Sequence, residues 1–351
     1  MIHTYFLGAN TPKGFHSEYR TLQTDPRIRQ LRIIKGGSGC GKSTLMKTVG
    51  EAAEQVGLST ERIPCSSDPD SLDGLVIPEI GFALVDGTAP HVIEPELCGC
   101  GANYLDLGKY YRDSQGLALR PALAAEKAAN QSCYGPAYGC LAAAAAAEQV
   151  VRSLAGRAAG EKLLQNALRQ LSPEGLRTEG RCGSVRRCFL SALTPAGLRS
   201  LDPDCRTLWA IEDSFRIGSG LLSRLETTYR KGGFDVVRVL DPVAPSEAAG
   251  LVIPELETGY LRLDPLFSLG GTALLRLSLD ASVEAGMEKA DRICAERMLG
   301  QRKRFVEEAL SWLSRAKAHH DRIEALCRQL VDFDGVSRET EQLIRNLLTE
   351  A

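Results

Sequence analysis

The hexapeptide Gly74-Leu75-Val76-Ile77-Pro78-Glu79 returns unchanged as Gly250-Leu251-Val252-Ile253-Pro254-Glu255, an offset of 250 − 74 = 176 residues. Six consecutive identities mark an internal repeat, and a repeat restricts the fold to two versions of one unit. At the same offset Ser43 meets Ser219, Leu45 meets Leu221, Gly57 meets Gly233, Arg62 meets Arg238 and Pro69 meets Pro245. Further upstream Phe6-Leu7, Thr11-Pro12 and Gly14 match Phe189-Leu190, Thr194-Pro195 and Gly197 at an offset of 189 − 6 = 183, so the first copy carries extra residues before its glycine-rich loop. A chain of 351 residues is long enough for two such domains. The reading is a duplication, with copies at 1–175 and 185–351 and a boundary in the polar, glycine-containing stretch Ser172 to Arg187.

In the first copy, Leu31 to Ile34, Ser59 to Pro64, Leu75 to Ile77 and Phe82 to Val85 read as short strands bounded by Gly, Pro or Asp. Lys42 to Gln55 reads as a helix ended by Gly57. Strands alternating with helices predict an α/β fold, a duplicated, doubly wound and mainly parallel sheet. From about 118 to 171 the composition shifts to Ala, Leu, Glu, Lys and Arg, with Gly135-Pro136 and Gly156 as breaks, so a helical hairpin or small bundle is expected. Residues from about 283 to 350 repeat that character, giving each copy a helical appendage.

Gly36-Gly37-Ser38-Gly39-Cys40-Gly41-Lys42-Ser43 satisfies G-x-x-x-x-G-K-[ST], the P-loop or Walker A pattern, and lies directly after a predicted strand and before a predicted helix. Phosphates need many donors at short range. Glycines let the backbone wrap closely and turn successive N–H groups inward. The expected assignments are a phosphate cradle from Gly36 through Gly41, Lys42 reaching the β and γ phosphates, and Ser43 on magnesium. Thr44, next along, is a residue that more often packs or caps, with contact to the α phosphate as the alternative.

A site of this kind draws its magnesium-side carboxylate from the end of a neighbouring strand, and Asp86 ends Phe82-Ala83-Leu84-Val85. Asp73 precedes its strand, which in a parallel sheet puts it at the wrong end. Glu79 also follows a strand, but Glu255 persists in the second copy, which favours a structural role. His91, in Gly87-Thr88-Ala89-Pro90-His91, is a candidate for orienting water or sensing the γ phosphate. Lys42, Asp86 and His91 are the candidate catalytic residues.

At the 176 offset the second loop is degenerate: Gly36 becomes Glu212, Gly37 becomes Asp213, Gly41 becomes Ile217 and Lys42 becomes Gly218. Acidic and branched side chains in the cradle disfavour polyphosphate, so one nucleotide per chain is expected. Arg186 and Arg187 read as solvated linker arginines, with presentation to the first site as the minority alternative. Arg297, Arg302, Lys303, Arg304, Lys317, His319, His320 and Arg322 read as a solvated helical face opposite Met298, Phe305, Leu310, Trp312 and Leu313.

A net charge of −2 with dispersed Lys and Arg provides no basic stripe, which disfavours nucleic acid. No stretch approaches the apolar length of a membrane span, so a cytoplasmic protein is expected. The 11 cysteines lack a repeated spacing and suit free thiols. Cys98 and Cys100, with His91 nearby, lack a second ligand pair for zinc and read as loop cysteines.

The segments Phe6-Leu7-Gly8-Ala9-Asn10-Thr11-Pro12-Lys13-Gly14, the loop itself, Asp68-Pro69-Asp70-Ser71-Leu72-Asp73 and Asp86-Gly87-Thr88-Ala89-Pro90-His91 resemble those of an uncharacterised family of bacterial P-loop ATPase-like proteins built from two P-loop domains. The resemblance covers most of the first half and, more weakly, the second. It implies a P-loop NTPase fold and nucleotide binding, and it brings no established substrate. Members often keep a recognisable second loop; the degenerate one here argues against cooperation between two sites. Three functions follow as expectations: a slow Mg2+-dependent ATPase, a small-molecule or nucleotide kinase, and a regulatory module that binds ATP without hydrolysis. No N-K-x-D segment of guanine-specific proteins is present, which favours ATP.

Overall fold

The computed structural model describes residues 2–97, 99–172, 181–263, 266 and 275–349. The chain opens with the strands β1 (Gly8–Thr11) and β2 (Gly14–Ser17), then β3 (Gln30–Lys35), helix α1 (Lys42–Gln55), β4 (Glu61–Pro64), β5 (Leu72–Ile77), β6 (Phe82–Asp86) and β7 (Ala102–Asp106). Helices α2 (Asp113–Ala158) and α3 (Glu161–Leu171) follow. The second set comprises β8 (Val185–Cys188), β9 (Ser191–Thr194), β10 (Gly197–Ser200), β11 (Thr207–Glu212), α4 (Ser219–Lys231), β12 (Val236–Leu240), β13 (Ala248–Ile253), β14 (Thr258–Leu263), β15 (Leu275–Ser278), α5 (Asp280–Gly286), α6 (Lys289–Arg328) and α7 (Phe333–Thr349). Arg186 and Arg187 thus lie in β8, paired with β12, rather than in a linker. Half of the expected boundary stretch, 173–180, lies outside the described residues.

One sheet has the order β4-β5-β6-β3-β7 and the other β8-β12-β13-β14-β11-β15. β3 runs parallel to β6 and β7, whereas β5 is antiparallel to both β4 and β6. The second sheet repeats this: β11 is parallel to β14 and β15, and β13 is antiparallel to β12 and β14. The sheets are therefore mixed, not mainly parallel. The reason is connection length: only the turn at Pro78–Ile80 separates β5 from β6, and a parallel pair needs a crossover of a dozen or more residues. The repeated hexapeptide is thus the second half of a hairpin strand plus its turn.

The likeness extends to details. Thr4 bridges Arg62 in parallel, as Arg187 of β8 pairs with Arg238. In the β1–β2 hairpin Thr11 Oγ1 donates to the Gly14 carbonyl at 2.7 Å, and in β9–β10 Thr194 Oγ1 donates to the Gly197 carbonyl at 2.7 Å. Both turns need a positive φ, +105° at Gly14 and +114° at Gly197, which glycine adopts without steric cost.

The helical segments depart from expectation. α2 is one helix of 46 residues that runs through Gly135-Pro136. A helix-interior proline costs about 3 kcal/mol. Against that stands a stripe at helical spacing, Cys133, Ala137, Leu141, Ala144, Val151 and Ala155, all buried. The chain divides into two compact units, Met1–Ile2 with Ala9–His16 and Pro136–Ser311, and His3–Gly8 with Ser17–Gly135 and Trp312–Ala351. This differs from the expected division at 1–175 and 185–351. Each sheet takes its covering helix from the other half of the sequence: Val336 and Leu347 of α7 share a core with Leu45, Met46 and Val49 of α1, and Ala167 and Leu171 of α3 share one with Leu221, Leu222 and Leu225 of α4. Burial of these apolar faces, worth about 1.5–3 kcal/mol per large side chain, decides the partnership. No helix among the described residues is long and apolar enough to cross a membrane.

Candidate functional site

The loop Gly36 to Gly41 leaves the end of β3 and enters α1. Its course needs glycine at Gly39 and Gly41, where φ is +72° and +93°. Gly41 is the N-cap of α1 and makes no side-chain cap, so the N–H groups of the first turn belong to the loop. The Lys42 ammonium folds back across it, donating to the carbonyls of Gly36 at 3.0 Å and Gly37 at 2.9 Å. Ser43 Oγ accepts from Leu72 N at 2.9 Å, tying α1 to the start of β5. Cys40 turns into the core, where burial raises its thiol pKa, so its side chain packs rather than binds. Thr44 is exposed, and its carbonyl accepts from Thr48 Oγ1 at 3.0 Å. Ser38 is half-buried, and its carbonyl accepts from the Tyr111 hydroxyl at 2.8 Å.

Asp86 sits at the end of β6, paired with Ile34 of β3, and is buried. Its Oδ1 accepts from Thr88 N at 2.9 Å and Thr88 Oγ1 at 2.7 Å, and its Oδ2 lies 3.5 Å from Lys42 Nζ. Asp73 is the correction. Because β5 runs antiparallel to β6, with Gly74 opposite Val85, the beginning of β5 lies at the same sheet edge as the end of β6. Asp73, read from the sequence as lying at the wrong end, therefore stands beside Asp86. His91 joins them, with Nε2 3.9 Å from Asp73 Oδ1, and its ring stacks on Tyr19 at 4.5 Å between centroids. Tyr19 donates its hydroxyl to Asp73 Oδ2 at 2.7 Å. Burial, reinforced by the charge of Asp86, raises the Asp73 pKa against the opposing pull of His91. Burial first and Asp73 second push the Tyr19 and Cys65 pKa values well up. Glu79 faces away, accepting from Ser59 N at 3.0 Å, in keeping with a structural role.

The outer side of the loop is packed by residues that sequence reading did not connect with it. A Cβ on Gly37 would lie 2.7 Å from the Tyr111 hydroxyl, one on Gly39 2.9 Å from the Glu324 carbonyl, and one on Gly41 3.4 Å from Val336. No local motif signals an approach between residues nearly three hundred positions apart. Cys100 is exposed in its turn, and Cys98 lies outside the described residues.

The second loop is built differently. β3 and β11 share one alternation of buried and half-buried residues at an offset of 207 − 30 = 177, while β5 and β13 match at 248 − 72 = 176. One residue is thus lost between β11 and β13 although both loops span six residues, 36–41 and 213–218, and Glu212 matches the strand residue Lys35 rather than Gly36. Asp213 folds its carboxylate onto the loop, accepting from Ile217 N at 2.8 Å and Gly218 N at 2.9 Å, the donors that open α4. Ile211 pairs with Arg262 as Ile34 pairs with Asp86, so an arginine replaces the carboxylate at the strand end. Arg262 lies 3.5 Å from Asp213 and donates to Asp241 at 2.9 Å. Arg216, at φ +64°, pairs with Asp241 and, at 3.1 Å, with Glu148. Arg302, read from the sequence as solvated, is 1% exposed and pairs with Glu148 at 3.0 Å. Burial raises the Asp213 pKa and lowers that of Arg262; burial would raise Asp241 too, but Arg216 and Arg262 hold it below the carboxylate range. A carboxylate and arginines of the chain itself thus fill the second loop.

Comparison with protein-family models, curated proteins and solved structures finds no match to this chain. The mixed α/β architecture and the strand–glycine loop–helix unit therefore define the protein on their own terms.

Proposed function

We propose that the chain binds the Mg2+ complex of a nucleoside triphosphate, ATP by preference, on Gly36 to Ser43 and hydrolyses it slowly. The observation that carries this reading is the Lys42 ammonium held between the loop carbonyls and, at 3.5 Å, the Asp86 carboxylate at the end of the adjacent parallel strand. The donor set fits a polyphosphate: glycines at positive φ, a first helical turn without a capping side chain, and a lysine within the loop. In this reading Gly36, Gly37, Ser38, Gly39, Cys40, Gly41 and Thr44 contribute backbone around the phosphates, Lys42 offsets the charge developing on the transferred group, and Ser43 with Asp86 holds the cation. Bound magnesium would supply neutralisation and orientation of the phosphate oxygens. His91 and Asp73 lie buried beside Asp86. Gly87, not a glutamate, follows Asp86, so no carboxylate base sits next in the chain and turnover is slow. One nucleotide per chain follows from the Asp213-filled second loop. Descent by duplication from one P-loop NTPase-like unit accounts for the shared strand order.

A kinase is the second reading, favoured by a groove of about 450 Å3 lined by Tyr111, Arg112, Leu117, Arg120, Lys127 and Leu330. It begins at Tyr111, whose hydroxyl bonds to the Ser38 carbonyl of the loop, and its three cations suit an anionic acceptor. Phosphate and ADP released from Mg-ATP, with and without anionic acceptors, separate the two. Acceptor-independent phosphate supports the ATPase, and ADP formed only with an acceptor and without free phosphate rejects it for the kinase.

A further inference from the structure

Asp73, Asp86 and His91 come from three different segments, yet their ligand atoms lie within 4.8 Å of one another and all three residues are buried. Three ligands at about 2.1 Å from one ion lie about 3.0–3.6 Å apart, so closure around a cation needs side-chain shifts of about an ångström. The surrounding contacts hold the set in place. Tyr19 binds Asp73 and stacks on His91, and Thr88 holds Oδ1 of Asp86, so that Oδ2 faces Lys42. Among the described residues, Lys42 is the one ammonium paired with this group, against two buried carboxylates. Burying carboxylates without matching positive charge costs several kcal/mol per ion.

The second half supplies an internal comparison. At the 176 offset Ala249 and Arg262 match Asp73 and Asp86 of the first half, and the segment that would match His91 lies outside the described residues. Both carboxylates are lost together in the half that has lost the loop lysine. There a guanidinium, Arg262, provides the positive charge at the strand end, between Asp213 and Asp241.

We propose that Asp73, Asp86 and His91 form a binding site for a first-row transition divalent cation, represented by Mn2+, that loads without nucleotide. This deepens the nucleotide reading and rests on it only for the use to which the cation is put. One imidazole with two carboxylates selects this class: Mg2+ prefers oxygen alone and keeps its water, whereas imidazole suits manganese and its heavier neighbours. The cation takes the Asp86 oxygen that faces Lys42, and its binding releases the ammonium from Asp86 towards the loop.

The test is electron paramagnetic resonance of Mn2+ added to the nucleotide-free full chain, for wild type, Asp73→Asn and His91→Gln, with circular dichroism as the control for folding. The expected result is one Mn2+ per chain, bound about tenfold or more tighter than Mg2+, and weakened about 100-fold or more in each variant. Hyperfine coupling of the bound Mn2+ to an imidazole nitrogen in wild type gives a reading that does not depend on any variant folding. Mn2+ that binds only after ATP is added, that binds equally in both variants, or that shows no nitrogen coupling overturns the site. ATP binding measured separately in EDTA reports on the loop alone, so failure of the nucleotide reading and failure of this site are distinguishable.

Discussion

Replacing Asp241 by asparagine removes one charge and little else. Asp241 is 2% exposed; its Oδ2 accepts from Arg262 at 2.9 Å and from Arg216, and its Oδ1 accepts from Val243 N at 2.9 Å and Ala244 N at 3.0 Å. Asparagine can keep the bonds from the two backbone donors but leaves two buried guanidinium groups short of a partner. Breaking a buried pair in this way costs about 3–5 kcal/mol. The pH dependence has a definite sign. The folded pKa of Asp241 is held below the unfolded value near 3.8, so its stabilisation is complete above that value and is lost as pH falls towards the folded pKa. The gap between wild type and Asp241→Asn is therefore constant from pH 7 to about pH 4 and narrows below. The chain has two tryptophans, Trp209 in β11 and Trp312 in α6, so a Trp312→Phe background lets Trp209 fluorescence follow urea unfolding of the Arg262-containing sheet alone. A loss below about 1 kcal/mol at pH 7, or a gap unchanged down to pH 2, would refute the reasoning.

Two further outcomes follow from the first loop and the thiols. Gly39→Ala places a Cβ 2.9 Å from the Glu324 carbonyl at a φ of +72°, so it should lower thermal stability by about 1–3 kcal/mol and weaken nucleotide binding; unchanged melting and affinity would contradict the packing described. Among the described cysteines, Cys100 and Cys182 are exposed and Cys40, Cys133 and Cys188 are buried. A thiol reagent followed by peptide mapping should modify the first two at least tenfold faster than the others, at a rate set by access, and early modification of Cys40 would argue against its place in the core.

What the sequence made legible was local. The glycine loop, the helix it opens and the strand ending at Asp86 all rest on patterns a few residues long, and each appears within a residue or two of its expected bounds. Strand direction was not read, although the short link from Ile77 to Phe82 contains the information, and that omission misplaced Asp73. Arg302 and Glu148 each interrupt an apolar stripe on a long helix, which is how buried ion pairs look in sequence, but nothing local distinguishes them from a solvated face. The choice of covering helix, α7 for α1 and α3 for α4, depends on contacts between distant segments and on the shape of apolar faces that only the folded chain brings together.

Lys42 is the residue on which the account turns, since it bridges the loop carbonyls and Asp86. The most direct measurement is the affinity of the purified chain for Mg-ATP by isothermal titration, beside Lys42→Ala. The account predicts one site per chain in wild type and a loss of about 100-fold or more in the variant, the scale of a charge-assisted phosphate contact of about 3 kcal/mol. Equal affinity in the two proteins, or two sites per chain, would contradict it.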